Sequence, residues 1–247
     1  MSKLFKVVLL INAIVINFGA KLPDQVGRCS ISSPEIKQCL SKNIQEAIIF
    51  FKNGNPQMGL PSLDPLKVPS LVIGEGTGPV NVVQNFSNVM LYGFTDATMN
   101  VKTADLNKGL IEAETVTKRI EMLADYTVDG RILVLPVKGS GKCNITIIKA
   151  KTTHVIEGEK IEKNGKIYFH LKDYRVEMEP ERMFYHFENL FDGDERMGAE
   201  INKVMNENWK EVYADVKLGY DKTYGMIFLG LANSLFSRVT FDDIFLP

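Results

Sequence analysis

The sequence predicts an α+β protein in which an N-terminal helix precedes a series of antiparallel strands and a very long C-terminal helix. Three observations predict this order. Apolar residues recur at helical spacing between Ile36 and Phe51, and short β-branched and aromatic runs broken by turn residues fill positions 80–190. Positions 194–239 then hold a helical apolar stripe without a single proline.

The first 20 residues have the pattern of a secretory signal peptide. Lys3 and Lys6 precede an apolar run from Val7 to Ile16, and we expect cleavage near Ala20. The run is too short to span a bilayer comfortably, since a membrane helix needs roughly 20 apolar residues. A buried strand or an uncleaved anchor is the alternative. No later segment is apolar enough for a membrane helix, so we expect residues 21–247 to be a single secreted domain.

Composition and charge exclude several classes of function. The chain is 45% hydrophobic and 24% charged, which is typical of a globular protein and excludes a disordered or fibrous one. Its formal net charge of −1 argues against a nucleic-acid partner and gives no sign of a basic membrane-binding patch. We expect a monomer.

The three cysteines are interpreted from the secretory pattern. Cys29 and Cys39 are close in sequence, and an oxidising compartment favours a disulfide between them. Closing that short loop would stabilise the fold by about 2.5–3 kcal/mol in the chain-entropy model. Cys143 is then left unpaired, and we expect its thiol to be buried.

Two sequons predict N-glycosylation, at Asn85 and Asn144. If Asn144 faces water, the two-residue period of a strand turns its neighbours Cys143, Ile145 and Ile147 towards the interior. The prediction for the cysteine and the prediction for the glycan therefore depend on each other.

The N-terminal helix has clear start and stop signals. Ser32 or Ser33 can act as the cap, with Pro34 and Glu35 in the first turn, and Asn53-Gly54 ends the helix. Its apolar stripe is Ile36, Leu40, Ile44, Ala47, Ile48 and Phe51. The next segment, residues 60–69, contains three prolines, which predict an extended linker.

The middle of the chain predicts an antiparallel sheet with one apolar face. Gly139-Ser140-Gly141 and Asn164-Gly165 are interpreted as hairpin turns. After the second turn, Ile167, Phe169 and Leu171 alternate with Lys166, Tyr168, His170 and Lys172 and are placed on the apolar face. The glycine-rich segment 74–79 lacks the spacing of a phosphate-binding loop and is interpreted as a turn.

The C-terminal helix is too long for a compact chain. Unbroken from residue 194 to 239 it would extend about 65 Å, whereas a compact chain of this size is roughly 45 Å across. Either the helix breaks at Gly219, Gly225 or Gly230, or the molecule is elongated around it. The wide stripe includes Trp209, Tyr220, Tyr224, Phe228 and Leu231.

Several short segments carry a family resemblance. In order along the chain they are the N-terminal cysteine pair, Leu63-Asp64-Pro65-Leu66, the segment 187–194, Asn206-Glu207-Asn208-Trp209 and the segment 241–245. As a set, they resemble the insect takeout and haemolymph juvenile-hormone-binding protein family. The resemblance implies a long helix wrapped by a strongly curved antiparallel sheet that encloses an apolar tunnel. It favours the elongated molecule.

The resemblance also implies the function. It indicates a carrier of small hydrophobic ligands and links the chain to circadian output, feeding and chemosensation. Juvenile-hormone carriers proper have a second disulfide, for which Cys143 has no partner here, so the chain is more similar to the takeout branch. We expect ten residues to line the tunnel: Phe51, Ile145, Ile147, Phe169, Leu171, Trp209, Tyr220, Tyr224, Phe228 and Leu231.

The sequence does not favour an enzyme. Ser140 lies in a predicted hairpin tip and not in a nucleophile elbow. His154, His170 and His186 lack metal-ligand spacing, and a lone histidine on a strand is usually a surface residue. We therefore predict no catalytic residue, no metal and no cofactor. A membrane-surface or glycolipid-binding defence protein on the same fold, or a secreted lipid esterase, is the alternative.

Overall fold

The computed structural model describes residues 20–73, 80–132 and 135–247. The predicted signal peptide, apart from Ala20, and the predicted glycine-rich turn at residues 74–79 lie outside these ranges. The structure therefore does not test either of these two predictions.

The N-terminal helix α1 spans Ile36–Phe50, close to its predicted limits. The hydroxyl of Ser33 accepts a hydrogen bond from the backbone N–H of Glu35 at 3.1 Å, just ahead of the first turn. Ser41 on the polar side of the helix accepts from Val101 N at 2.8 Å, which fixes α1 against the sheet.

The described residues form one antiparallel sheet of seven strands. Its centre consists of two very long strands, each of which changes neighbours along its length. The first of them, β5 (Leu110–Ile132), pairs with β4 (Thr98–Asp105) through residues 110–116 and with β3 (Val80–Tyr92) through residues 121–132. The second changes partner near Lys149, whose φ of 46° marks an irregularity. The strands are β2 Leu66–Ile73, β3 Val80–Tyr92, β4 Thr98–Asp105, β5 Leu110–Ile132, β6 Leu135–Lys163, β7 Lys166–Glu179 and β8 Arg182–Phe187.

The sheet curves around the C-terminal helix. Helices α2 (Glu195–Glu207) and α3 (Trp209–Phe236) follow the last strand, and α3 contacts β2 and β3 as well as β7 and β8. Because β2 and β7 are at opposite ends of the strand order, one helix can touch both only if the sheet bends around it. This is the α+β arrangement expected from the sequence.

The chain ends close the fold. A short helix α4 (Phe241–Ile244) leads into β9 (Phe245–Leu246), which pairs in parallel with β1 (Cys29–Ser30).

The C-terminal helical region is interrupted at Asn208, and not at Gly219, Gly225 or Gly230, the breaks that the sequence offered as the alternative to an elongated molecule. Asn208 leaves helical geometry with φ −108° and ψ 32°, whereas all three glycines lie inside α3. Gly225 serves packing instead, because a Cβ there would meet the carbonyl oxygen of Tyr174 at 2.4 Å. Glycine lets the helix approach β7 closely.

The predicted hairpin at Gly139-Ser140-Gly141 is wrong, since these residues lie within β6. The β5–β6 pairing continues past these glycines to Ile132 and Leu135. A Cβ on Gly139 or Gly141 would come within 3 Å of the backbone of the segment after β8. The two glycines permit a second backbone to cross the strand. The Asn164-Gly165 hairpin, in contrast, is confirmed between β6 and β7.

Helix side chains bind the backbone of the outer strands. Asn202 accepts from Phe187 N and donates to Phe187 O, both at 2.9 Å. One turn later, Asn206 accepts from Tyr185 N at 3.0 Å and donates to Tyr185 O at 2.7 Å. Both strand residues are on β8, whose other side pairs with β6. We call these two contacts the asparagine clamps; they satisfy backbone groups that the sheet edge would otherwise leave unpaired.

Candidate functional site

An apolar pocket of about 270 Å³ lies between α1, β7 and the C-terminal half of α3. This volume is close to the lower end of the usual range for ligand pockets, about 300–1,000 Å³. The wall consists of residues from eight parts of the chain. The lining residues are Leu22, Val26, Gly27, Cys29, Leu40, Asn43, Ile44, Ala47, Ile48, Phe51, Leu60, Leu63, Ile111, Ile156, Phe169, Leu171, Tyr174, Leu231, Ala232, Leu235, Phe236, Ile244 and Phe245.

The pocket exists because two apolar helix faces meet without filling the space between them. Ile44 and Ala47 on α1, and Leu231 and Leu235 on α3, all pack against the core clusters. Each nevertheless stays only half-buried. Well-packed interiors leave few voids larger than a water molecule, so a hollow of this size between aliphatic side chains is a place for an apolar ligand.

The polar contribution to the wall is small, and its most buried part is the hydroxyl of Tyr174. This hydroxyl lies 3.2 Å from His154 Nδ1, while His154 Nε2 lies 2.9 Å from Thr115 Oγ1. Burial lowers the pKa of His154 to about 4 and raises that of Tyr174, so both groups are neutral near pH 7. The Tyr174–His154 pair therefore adds no charge to this part of the pocket wall near pH 7.

The expectation that the histidines are surface residues is wrong for His154, which is 6% exposed. Its two hydroxyl partners satisfy both ring nitrogens, which allows burial on the inner face of β6. His170 and His186 are exposed as expected.

The chain termini and a disulfide close the pocket near α1. Cys29 and Cys39 are bonded, which confirms the predicted pairing and ties β1 to the first turn of α1. Cys29 itself lines the pocket. Beside it, the Ile31 N–H donates to Leu246 O at 2.8 Å, so the last residues of the chain are held against the first strand.

On the opposite wall, α3 is attached to β7 by a further asparagine. Asn233 accepts from Leu171 N and donates to Leu171 O, both at 2.9 Å. This contact repeats the geometry of the asparagine clamps, and it fixes Leu171 as a rigid part of the pocket wall.

The structure separates the ten residues predicted to line the tunnel into two groups. Phe51, Phe169, Leu171 and Leu231 line the pocket. The other six lie in or against the neighbouring core cluster between α3 and the other half of the sheet. They are Ile145, Ile147, Trp209, Tyr220, Tyr224 and Phe228.

An aromatic ring lies at the boundary between the two groups. The Phe228 ring is 5.7 Å from Tyr174, a pocket residue, and it stacks on Tyr224 at 6.3 Å. The Phe94 ring contacts the Phe228 ring edge-on at 5.6 Å between centroids, and the His154 ring lies 6.1 Å from it. Leu231, one turn further along α3, is the first lining residue on the pocket side.

Sequence reasoning missed several members of the wall. The α1 residues Leu40, Ile44, Ala47 and Ile48 were assigned to an apolar stripe but not to the site, although the stripe itself was the available signal. No sequence signal pointed to Tyr174. Its place in the wall depends on two residues distant in sequence: Gly225, which packs against its backbone, and His154, which hydrogen-bonds its hydroxyl.

The remaining predicted residues lie away from the pocket. Cys143 is a buried free thiol, as expected, and burial raises its pKa to about 12. Asn85 is exposed. Asn144 is half-buried, and its Nδ2 donates to Glu121 Oε1 at 2.7 Å. Glycosylation at both positions stays a prediction.

In residues 20–73, 80–132 and 135–247, no group of three or more histidine, cysteine or acidic side chains is arranged to hold a metal ion. No helix in these ranges has the length and apolar character needed to cross a membrane.

Two curated proteins are similar to this chain in sequence, and one solved structure is similar to it in fold. The chain is 23% identical over 231 residues to the circadian clock-controlled protein daywake of Drosophila melanogaster, covering 90% of this chain and 88% of the relative. It is 24% identical over 217 residues to a putative beta-carotene-binding protein of Schistocerca gregaria, covering 87% and 85%. The crystal structure of Epiphyas postvittana Takeout 1 superposes with a TM-score of 0.79 at 22% identity, covering 89% of this chain and 99% of that one.

The family assignment rests on nearly the full length of the chain. The family model described as haemolymph juvenile hormone binding protein matches residues 6–246. That range includes both ends of the pocket, from the N-terminal segment to β9, as well as the sheet and α3. The chain therefore belongs to the haemolymph juvenile hormone binding protein family.

Proposed function

We propose that this protein is a secreted carrier that encloses small hydrophobic ligands, such as terpenoid or fatty-acyl lipids, in the apolar pocket between α1, β7 and α3. The observation that carries the proposal is the pocket itself, whose wall is aliphatic and aromatic with few polar groups. Membership of a ligand-binding family supports it, as does the similarity to a chain described as a putative beta-carotene-binding protein.

The expected affinity follows from the burial of hydrocarbon. A ligand of about 15 carbons gains up to roughly 12 kcal/mol at about 0.8 kcal/mol per buried methylene. Association costs of about 4–15 kcal/mol must be subtracted. The difference, at most about 8 kcal/mol, corresponds to micromolar or weaker binding. No catalytic group is needed for it, which suits a protein that takes up and releases a lipid unchanged.

The cysteines support two parts of the proposal. The Cys29–Cys39 disulfide suits an oxidising, extracellular compartment and agrees with the apolar leader pattern of the sequence. The free, buried Cys143 means that a second disulfide is not formed here. This supports a takeout-like ligand range over one restricted to juvenile hormone.

The test is to fill the pocket with a larger side chain. Leu231→Trp projects an indole into the pocket, and the matched control Leu218→Trp adds the same group on α3 at a position that is 82% exposed. Titration of a fluorescent fatty-acyl probe should give at least a tenfold weaker Kd for Leu231→Trp, about 1.4 kcal/mol, and no change for Leu218→Trp. The far-UV circular dichroism of both variants should match the original chain.

A second variant guards against misfolding of the first. Ala232→Phe fills the same pocket from the neighbouring position on α3. Unchanged probe binding in either folded pocket variant contradicts the proposal, because the ligand would then be bound elsewhere.

A further inference from the structure

One polar side chain interrupts the apolar face that α1 turns towards the pocket. Leu40, Ile44 and Ala47 line the pocket from this face, at the three- and four-residue spacing of a helix. Of the described α1 residues that line the pocket, Asn43 alone has a polar side chain. An apolar side chain would suit the same face, so packing alone does not account for an amide there.

The amide of Asn43 is held in one orientation. Its Nδ2 donates to Cys29 Sγ at 3.3 Å and to Cys39 Sγ at 3.5 Å, so the amide N–H groups face the disulfide. Gly27 packs against the amide, because a Cβ at this glycine would lie 2.5 Å from Asn43 Oδ1 and 2.7 Å from Nδ2. The absence of a side chain at Gly27 therefore leaves room for the amide at the pocket wall.

The carbonyl oxygen of the same amide has no donor. Among the residues that the structure describes, no side chain or backbone group donates a hydrogen bond to Asn43 Oδ1. Tyr174, which also lines the pocket, already shares its hydroxyl with His154. At Asn43 the wall therefore offers a ligand a hydrogen-bond acceptor, fixed in place and surrounded by aliphatic side chains.

We propose that Asn43 Oδ1 accepts a hydrogen bond from a hydroxyl at one end of the ligand, so that the pocket selects long-chain alcohols over hydrocarbons, ethers and esters. The apolar chain of the alcohol then lies against aliphatic side chains such as Ile44, Leu231 and Leu235. This inference rests on the proposed carrier function and adds a class of lipid to it.

The chemistry of the acceptor distinguishes an alcohol from other lipids. An ester or ether oxygen only accepts hydrogen bonds, so it cannot pair with the carbonyl oxygen of Asn43. A hydrocarbon leaves that oxygen unpaired, which is unfavourable once the ligand has excluded water. A carboxylate is also disfavoured, because no described lining residue has a charged side chain and an ionised group buried without a partner is strongly unfavourable.

The test compares dodecanol, dodecyl methyl ether and dodecane as competitors of a fluorescent fatty-acyl probe on the full protein. We expect the original chain to bind the alcohol about tenfold more tightly than the other two, since only the alcohol gives Asn43 Oδ1 a donor. In Asn43→Leu this preference should disappear, while the affinity for dodecane does not fall. The matched control Lys42→Leu changes the exposed neighbouring position on α1 and should keep the preference.

A second variant keeps the amide but displaces it. Gly27→Ala places a methyl group within 2.7 Å of three amide atoms of Asn43, so the amide must move. The preference for the alcohol should fall in this variant as well. A general disturbance of the pocket would instead lower the affinity for all three ligands together and leave their ratio unchanged.

The outcomes separate this inference from the carrier function. If neither the probe nor any of the three ligands binds, the proposed function fails. If dodecane binds and the original chain shows no preference for the alcohol, or the preference survives in Asn43→Leu, only the Asn43 anchor is overturned. If Asn43→Leu does not fold, the ratio measured in Gly27→Ala decides in the same way.

Discussion

The two ends of the helix–sheet interface, one at β8 and one at β7, differ in how the helices pack against the strands. At the β8 end, α2 is bound to the strand backbone by Asn202 and Asn206, and the core contains interlocked side chains such as Trp209. At the β7 end, Asn233 makes one such contact, and α1 is attached to β4 through Ser41 and to β1 through the disulfide. The first end is filled and the second contains the pocket.

The comparison shows that apolar composition alone does not decide which end is hollow. Both ends are lined by aliphatic and aromatic residues. The difference lies in the size of the facing side chains. Ala47 and Ala232 face the pocket, whereas Tyr213, Tyr220 and Tyr224 face the filled core.

Removing the asparagine clamps should have the largest effect on the filled end. Asn202→Ala/Asn206→Ala leaves four backbone groups of β8 without partners, at about 1–3 kcal/mol each where they are buried. We expect the free energy of unfolding in urea to fall by about 4 kcal/mol. Lys203→Ala, an exposed change on the same helix, should stay within about 0.5 kcal/mol. A loss no larger than that of the control would show that the clamps do not hold this end together.

Acid should lower the free energy of unfolding through His154, whose ring lies near Phe228 between the two ends. Its pKa is about 4 in the folded protein and near 6.5 when unfolded, so the unfolded chain binds the proton more readily. The stability due to neutral His154 is complete above pH 6.5 and is lost as pH falls towards 4. That loss is about 3 kcal/mol. Between pH 6.5 and pH 4, the free energy of unfolding of His154→Gln should therefore fall by about 3 kcal/mol less than that of the original chain.

His170→Gln provides the control for the acid effect, because His170 is exposed. Its unfolding free energy should follow the original chain from pH 7 to pH 4. If His154→Gln follows the original chain just as closely, His154 is not buried in its neutral form.

The smallest effect tests the close approach of α3 to β7. Gly225→Ala places a methyl group 2.4 Å from Tyr174 O and should destabilise by about 1–2 kcal/mol, since overpacking costs more than alanine gains in a helix. Gly230→Ala meets nothing within 4 Å and should stabilise by up to about 1 kcal/mol. Chemical denaturation of both variants checks this. Equal changes in the two would mean that α3 does not touch β7 at Gly225.

Much of the architecture could be predicted from local signals. The apolar stripe of α1, the Asn164-Gly165 hairpin and the strand-then-helix order depend on residues close in sequence. The predicted serine cap is wrong, because Glu35 is the N-cap residue and no side chain caps the helix there. The wrong hairpin at Gly139-Ser140-Gly141 and the packing role of Gly225 both involve glycines whose reason is distant in sequence. Gly139 and Gly225 are small because another backbone passes over them, and a single sequence does not show which backbone that is.

The candidate site was predictable only in part, for a related reason. Helical and strand periods identify Phe169, Leu171 and Leu231 as inward-facing, but inward-facing residues either fill a core or line a hollow. The outcome depends on how far apart the elements are held, which is set by contacts such as Asn233 with Leu171 across 62 positions of sequence. Tyr174 and His154 join the site by the same kind of long-range contact.

The most direct test of the central claim is to locate a bound lipid. A fatty-acyl probe with a photoreactive diazirine at the end of its chain is bound, irradiated and mapped by peptide mass spectrometry. The account predicts labelling of α1 between Leu40 and Phe51 and of α3 between Leu231 and Phe236, with little in α2 or β8. Labelling concentrated on α2 and β8, with none on these segments of α1 and α3, would contradict it.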